Sequence, residues 1–404
     1  MPRILLCWEG GRGDGHVVRL QRIVKALRFR GASCFVAAFD VRAAERLKED
    51  GIPVLQAPTE RWGGQKPPSL GHTMPSRDHC NFTIPLWELG FWRKQTIISN
   101  LQGWDKIFAL VKPDAVVADF APYALLAAAG RVPTFAIGNG FFVPALCEDY
   151  LTPDDCPPST ADRVRQDVIF ANVRDAFRSL RQKTPEPVAA ALCSLHPCPA
   201  TLPELDPRYA LRPDSLVPPE LDTIPAKPCG SGNLIFLYLG TDAINLPVAL
   251  QAVEKTGLPA ILHFRGVSPH QGPRSSLIRT RATPFSIEEI AHNAGLVIHH
   301  GGIGITHLAA LAGVPQLIVH RGSERWLNAR SVSKTGAGGG RASKSENIDD
   351  IARLIIVLLR KKTFRDAALR WAETSLDWIA ARRGQDVIAD RIMRISAPTS
   401  DGAN

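Results

Sequence analysis

The stretch LVIHHGGIGITHLAALAGVPQLIV (296–319) decides the fold. Its apolar start predicts a buried parallel strand, HHGGIG a glycine turn, ITHLAALAG a helix and VPQLIVH the next strand. A strand that turns directly into a helix leaves unpaired backbone N–H groups and a partial positive charge at the sheet's carboxyl edge. That arrangement suits an anion such as phosphate. His300, Gly301, Gly302 and Gly304 line the turn, and His300 and Thr306 are expected to add side-chain donors. Glycines alone can serve only the turn; the adjoining histidine and a matching N-terminal half favour a ligand site.

Working outward, NLIFLYLG (233–240), INLPVALQAVEKTG, LPAILHFRG and SIEEIAHNAG read as strand, helix, strand and helix ahead of this segment. The tail 347–394 reads as amphipathic helices. The N-terminal half repeats the alternation. RILLCW (3–8) reads as a strand, and VVRLQRIVKALRFRG (17–31) as a helix with Leu20, Ile23, Val24 and Leu27 on one face. ASCFVAAF, VRAAERLKEDG and IPVLQAP follow as strand, helix and strand, and DAVVADF and VPTFAIG as two more strands. This order implies right-handed crossovers and parallel sheets.

The expected division is a domain at 1–215, a second at 230–380, and a C-terminal helix and tail at 381–404. An insertion at 58–105, rich in Pro, Gly and aromatics, interrupts the first domain, and its tryptophans (Trp62, Trp87, Trp92, Trp104) suit either core packing or an acceptor pocket. The Pro-rich stretch 197–232 reads as an interdomain connection.

At 404 residues, 45% hydrophobic and 22% charged, the chain is long enough for two α/β cores, and no run approaches a membrane span. MPRILLCW is too short for a signal-peptide core. Eight cysteines form no CxxC pair and no zinc site, which points to free thiols in a reducing cytoplasm. The net charge of +9 is scattered without a basic-aromatic stripe, which argues against nucleic acid. The run LLRKKTFR (358–365) reads either as a solvated helix end or as a peripheral contact with an anionic membrane.

Two further residues carry chemistry. His16 closes the loop WEGGRGDGH (8–16), which lacks the GxGxxG dinucleotide spacing, and lies at the carboxyl edge of the first strand. A neutral imidazole there can take a proton from a hydroxyl. Asp119 ends AVVAD (115–119) and should reach the same edge, where a carboxylate would fix the imidazole tautomer. Helix capping is the alternative role for each.

These pieces resemble the GT-B glycosyltransferases, specifically the branch that includes plant and bacterial UDP-sugar glycosyltransferases. The segment HHGGIGITHLAALAGVPQLIVHRGSERWLNARSV (299–332), the loop GDGHVVRL and the strand end VVADF carry the resemblance. LPELDPR (202–208) is similar to a PELD segment of a bacterial group with this fold. The resemblance implies an α/β fold of two Rossmann-like domains with parallel sheets facing across a cleft. It implies a bacterial, cytoplasmic enzyme that moves a sugar from a nucleotide diphosphate sugar, a UDP-sugar, to an acceptor hydroxyl. The transfer is expected to invert and to use no cofactor, and no metal is expected because no carboxylate pair is placed beside the phosphate loop. His16 falls on the family's base and Asp119 on its carboxylate partner. His300, Gly301, Gly302 and Gly304 fall on the diphosphate contacts, Gly240 and Thr241 on the turn opening the C-terminal domain, Phe285 on the nucleotide-base segment, and Asn328 on the Asn of the NA pair.

The sequence departs from the family at Ile305, where a Ser or Thr faces phosphate, and at His320, where Pro is usual. It also has Glu324-Arg325 in place of the Asp-Gln pair that binds sugar hydroxyls. A fixed cation in place of an amide suits an acidic sugar or an extra phosphate contact. The loop GNGFFVP (138–144), together with 58–105, is expected to form an acceptor site for a hydrophobic small molecule or lipid. A nucleotide-sugar hydrolase or epimerase, and a non-catalytic nucleotide-sugar-binding subunit, are the competing readings.

Overall fold

A computed structural model of the chain describes residues 1–11, 15–58, 82–144, 159–225, 227–228, 230, 232–239, 246–264, 275–344 and 347–396. The chain divides into two compact units, Met1–Glu220 with Arg383–Asn404, and Leu221–Arg382.

The first unit is built on β1 (Arg3–Trp8), β2 (Ser33–Ala38), β3 (Val54–Gln56), β4 (Ala115–Asp119), β5 (Thr134–Gly138) and β6 (His196–Pro199). They form one parallel sheet in the order β3-β2-β1-β4-β5-β6. Alternation along β1 sends Leu5 and Cys7 to one face and Ile4, Leu6 and Trp8 to the other, all buried. Helices Lys94–Val111 and Pro122–Ala128 contribute to the cluster on the first face. Helix Gly15–Phe29 covers the other, with Leu20, Ile23, Val24 and Leu27 fully buried, as their spacing requires. The last helix, Gly384–Ser396, joins that face through Ile388, Ala389 and Ile392. The chain therefore returns to its first unit to finish, a long-range pairing that local periodicity does not encode.

The second unit holds β7 (Leu234–Leu239), β8 (Ala260–Phe264), β9 (Ile278–Arg281), β10 (Ala294–His299), β11 (Gln316–His320) and β12 (Gly338–Ala342). They form a second parallel sheet in the order β12-β11-β10-β7-β8-β9. In each sheet the strand order reverses beside the first strand, between β1 and β4 and between β7 and β10. Open α/β sheets bind ligands at the carboxyl edge of that reversal.

Three segments differ from the sequence reading. VRAAERLKEDG is helical only over Glu45–Glu49. The described part of the 58–105 insertion contains the ordered helices Thr83–Glu88 and Lys94–Val111. The front of the 197–232 connection is edge strand β6, followed by short 3-10 turns, so it belongs to the first unit. Cys7, Cys34, Cys193 and Cys198 are buried and form no disulfide among the described residues; the other four cysteines lie outside them. Among the described residues no helix is long and apolar enough to cross a membrane.

Candidate active site

At the switch point of the first sheet, Trp8 of β1 and Asp119 of β4 are register partners. His16, in the first turn of helix Gly15–Phe29, lies over that edge, with Nδ1 3.0 Å from Asp119 Oδ2. The ring's N–H axis is not aimed squarely at the oxygen, so the approach is close but is not an aligned hydrogen bond. The imidazole stacks on Trp8, with centroids 5.3 Å apart, and meets the edge of Phe142 at 6.3 Å. Its Nε2 lies against the backbone of Gly11, where a Cβ would sit 2.3 Å away. Gly11 also has φ +88°, so glycine serves both the turn and the close approach.

Asp119 is fully buried. Burial alone would raise its pKa, but the Arg19 guanidinium and then His16 overcome it and hold the carboxyl below the usual range. Arg19 Nη1 lies 3.2 Å from each carboxylate oxygen, and Arg19 Nε donates to Glu220 Oε1 at 2.8 Å. The residue after Asp119, Phe120, has φ +49°, a strained conformation for an aromatic residue. Its ring packs on Phe142 at 4.6 Å.

Glu9, next along from Trp8, points the other way. It accepts from the Trp104 indole N–H at 2.5 Å and from the Tyr123 and Ala124 amides at 2.9 and 2.8 Å. Of the four insertion tryptophans, Trp104 is thus a core residue, Trp87 is buried, Trp92 is partly buried, and Trp62 lies outside the described residues.

The PELD segment explains how Phe142 is held. Arg208 Nη1 and Arg212 Nη2 donate to Gly140 O at 2.8 and 3.0 Å, and Arg212 also reaches Val143 O. Asp206 holds Arg212 with both oxygens, at 2.8 and 2.9 Å. These buried groups brace the loop 138–144 from beneath. Sequence reading missed the roles of Arg19, Arg208 and Arg212. The His16-x-x-Arg19 spacing, which puts both side chains on one helix face, was the available signal for the first.

In the second unit, β10 ends at His299 and helix Ile303–Ala312 begins after Gly302. No side chain caps this helix and its first turn carries no acid, whereas Ser286 and Ser159 close their helices with capping boxes. Its first-turn amides are therefore free of side-chain competition. His299 is fully buried, its Nδ1 accepting from Gly301 N–H at 3.1 Å and its Nε2 3.0 Å from Gln316 Oε1. Those partners require the neutral Nε2–H tautomer, and burial, then His300, pull its pKa down to about 3. Asn328 Nδ2 donates to Gly301 O at 2.8 Å. Gly301 has φ +92°, and a Cβ there would meet Ile318 at 2.8 Å and Arg325 at 3.0 Å. His300 is half-buried, with Nδ1 3.4 Å from Tyr238 O and Nε2 against Gly302. A Cβ on Gly304 would meet nothing within 4 Å, so that side of the first turn is open.

Glu324 and Arg325 occupy the first turn of helix Ser323–Lys334, with Arg325 packed beside Gly301. Two expectations need correction. Thr306, expected as a ligand donor, is completely buried and its hydroxyl donates to Gly302 O at 2.8 Å, so it braces the turn. Phe285, expected beside a nucleotide base, is buried and stacked on Phe236 at 4.2 Å, with Arg281 over its ring, so its side chain belongs to the core. Asn328 acts on the turn through its backbone bond. Gly240 and Thr241 lie outside the described residues.

Comparison with known proteins bears on this pair of sites. A family model described as erythromycin biosynthesis protein CIII-like, C-terminal domain, matches residues 278–390, which include the His300 turn. Vancomycin aglycone glucosyltransferase of Amycolatopsis orientalis is 26% identical, spanning 98% of this chain and all of that protein. The chain has the fold of the GT-B glycosyltransferases. Solved glycosyltransferases share the fold over nearly its whole length. CalG4, the calicheamicin glycosyltransferase, superposes with a TM-score of 0.70 at 16% identity, over 99% of each chain. Spinosyn rhamnosyltransferase SpnG, complexed with thymidine diphosphate, gives 0.64 at 15% identity, over 96% of this chain and 99% of its own.

Proposed function

We propose that this glycosyltransferase moves a sugar from a pyrimidine nucleoside diphosphate sugar to a hydroxyl of an apolar, aromatic-rich acceptor, with inversion at the anomeric carbon. The observation that carries this reading is the His16–Asp119 contact at the switch point of the first sheet. With Asp119 at Nδ1, the imidazole keeps its lone pair on Nε2. The acceptor's O–H proton goes to Nε2, its oxygen bonds the anomeric carbon, and the carbon–oxygen bond to the diphosphate breaks, its electron pair leaving with the phosphate. A single displacement of this kind inverts the centre. Asp119, kept ionised by Arg19, steadies the imidazolium.

The uncapped start of helix Ile303–Ala312 and His300 are suited to the leaving diphosphate, and they take the place of a metal in this reading. Arg325, beside Gly301, adds a cation for the phosphates or for an acidic sugar. The motif resemblance favours uridine as the base. Thymidine diphosphate bound to the spinosyn enzyme supports its close analogue equally well. An apolar acceptor is supported by the partly buried Phe142 at the edge of the His16 ring, and by the aglycone acceptor in the name of the vancomycin enzyme. No cofactor is needed for this displacement.

The test offers UDP- and TDP-sugars with a panel of aromatic and lipid hydroxyl acceptors, with and without EDTA. It follows nucleoside diphosphate release and the anomeric configuration of the product. Acceptor-dependent release with inverted product, insensitive to EDTA, is expected. Release at the same rate without acceptor would make the chain a hydrolase instead.

A further inference from the structure

Asp119 has two basic neighbours, and both come from one helix face. His16 and Arg19 are three residues apart on helix Gly15–Phe29, and their side chains converge on the same buried carboxylate. Arg19 does not end there. Its Nε bonds Glu220 Oε1, while Arg22, a further three residues on, donates to Glu220 O at 2.9 Å. The side chains of Arg19 and Glu220 are only 11% and 7% exposed, so this is a shielded cluster rather than a surface network. Glu220 is also the residue at which the chain leaves the first unit.

The charges add in a specific way. Counting Asp119 and the side chains linked to it, and not Arg22, which is placed on the backbone carbonyl of Glu220, the sum with His16 neutral is one negative charge: Asp119, Arg19 and Glu220. When His16 takes a proton the cluster becomes neutral. Without Glu220 the same uptake would turn a neutral cluster into a buried cation; without Arg19 it would start from two negative charges on a poorly held carboxylate. Among the described residues, the other groups packed on the His16 ring are the uncharged Trp8 and Phe142, and nearby Glu9 is turned to Trp104 and the Tyr123 and Ala124 amides.

We propose that Arg19 and Glu220 are positioning residues that hold Asp119 against His16 and set the cluster's charge so that proton uptake at His16 is electrically balanced. The inference deepens the functional reading above and rests on it for its catalytic meaning, but its physical content can be read without substrate.

The experiment is an NMR pH titration of the His16 ring, its signal assigned by loss in His16→Ala, in the wild type and in Arg19→Gln, Arg19→Lys and Glu220→Gln. Arg19→Gln should move the His16 midpoint up by about one pH unit and Glu220→Gln should move it down by about half a unit, with Arg19→Lys shifting it less than Arg19→Gln. Glu220→Gln is nearly isosteric and carries the test alone if the Arg19 variants fail to fold. Midpoints that stay put, or that move the same way in Arg19→Gln and Glu220→Gln, overturn the inference. Opposite shifts in a protein whose transfer rate survives His16→Ala would uphold the cluster and sink the catalytic reading instead.

Discussion

Gly11 and His16 touch so closely that a single added carbon on Gly11 would lie 2.3 Å from the imidazole Nε2. The nitrogen assigned to proton transfer is thus positioned from below by backbone, while Asp119 holds the ring's other nitrogen.

Gly11→Ala should therefore damage activity more than stability. The left-handed φ costs roughly 1–2 kcal/mol, whereas displacing the ring should lower kcat by about 10–100-fold. Thermal melting and steady-state kinetics on one preparation check this. A variant that melts far lower yet keeps its kcat would show that Gly11 serves the turn alone.

The second-unit turn gives a separable prediction. Asn328→Ala leaves the Gly301 carbonyl without its buried donor, at a cost of about 1–3 kcal/mol, and loosens the turn ahead of helix Ile303–Ala312. Donor KM should rise while acceptor KM stays within about twofold. Initial-rate measurements varying each substrate in turn distinguish the two.

Much of this was legible in the sequence because the decisive residues sit where strand and helix periods change. β10, the HHGG turn and the following helix are contiguous, and the apolar run before Asp119 fixes the end of β4. What was missed lies where composition misleads or partners are distant in sequence. β6 has two prolines in four residues, tolerated because it is an edge strand. β12, GGGRA, lacks the β-branched and aromatic residues that mark a strand, yet Gly338 is small because a Cβ would lie 2.1 Å from Gln316 O on the adjacent strand. Arg19 meets Asp119 one hundred residues away and Glu220 two hundred and one away, pairings that no local pattern encodes. Thr306 reads as a donor at the glycine turn and Phe285 falls by resemblance on the nucleotide-base segment, while their burial assigns both to the scaffold.

Acid sensitivity should follow from the buried histidines. His299, pulled from 6.5 to about 3, and His320, pulled by burial to about 4, stay neutral in the folded chain while the unfolded chain protonates them. Between about pH 6.5 and these values the unfolded state binds more protons, so stability rises with pH and falls on acidification. The slope is up to about 1.4 kcal/mol per pH unit for each histidine. Denaturant unfolding from pH 7 to pH 4.5 should show this loss, and His299→Gln should flatten it by about one histidine's share. An unchanged slope in that variant would mean another group governs acid unfolding.

The central claim is that His16 takes the acceptor's proton. The most direct measurement compares acceptor-dependent nucleoside diphosphate release by wild type and His16→Ala, with donor binding followed by thermal shift in both. The account predicts a fall in kcat of about 10²–10⁴-fold with the donor-induced shift retained. Turnover within a fewfold of wild type would contradict it.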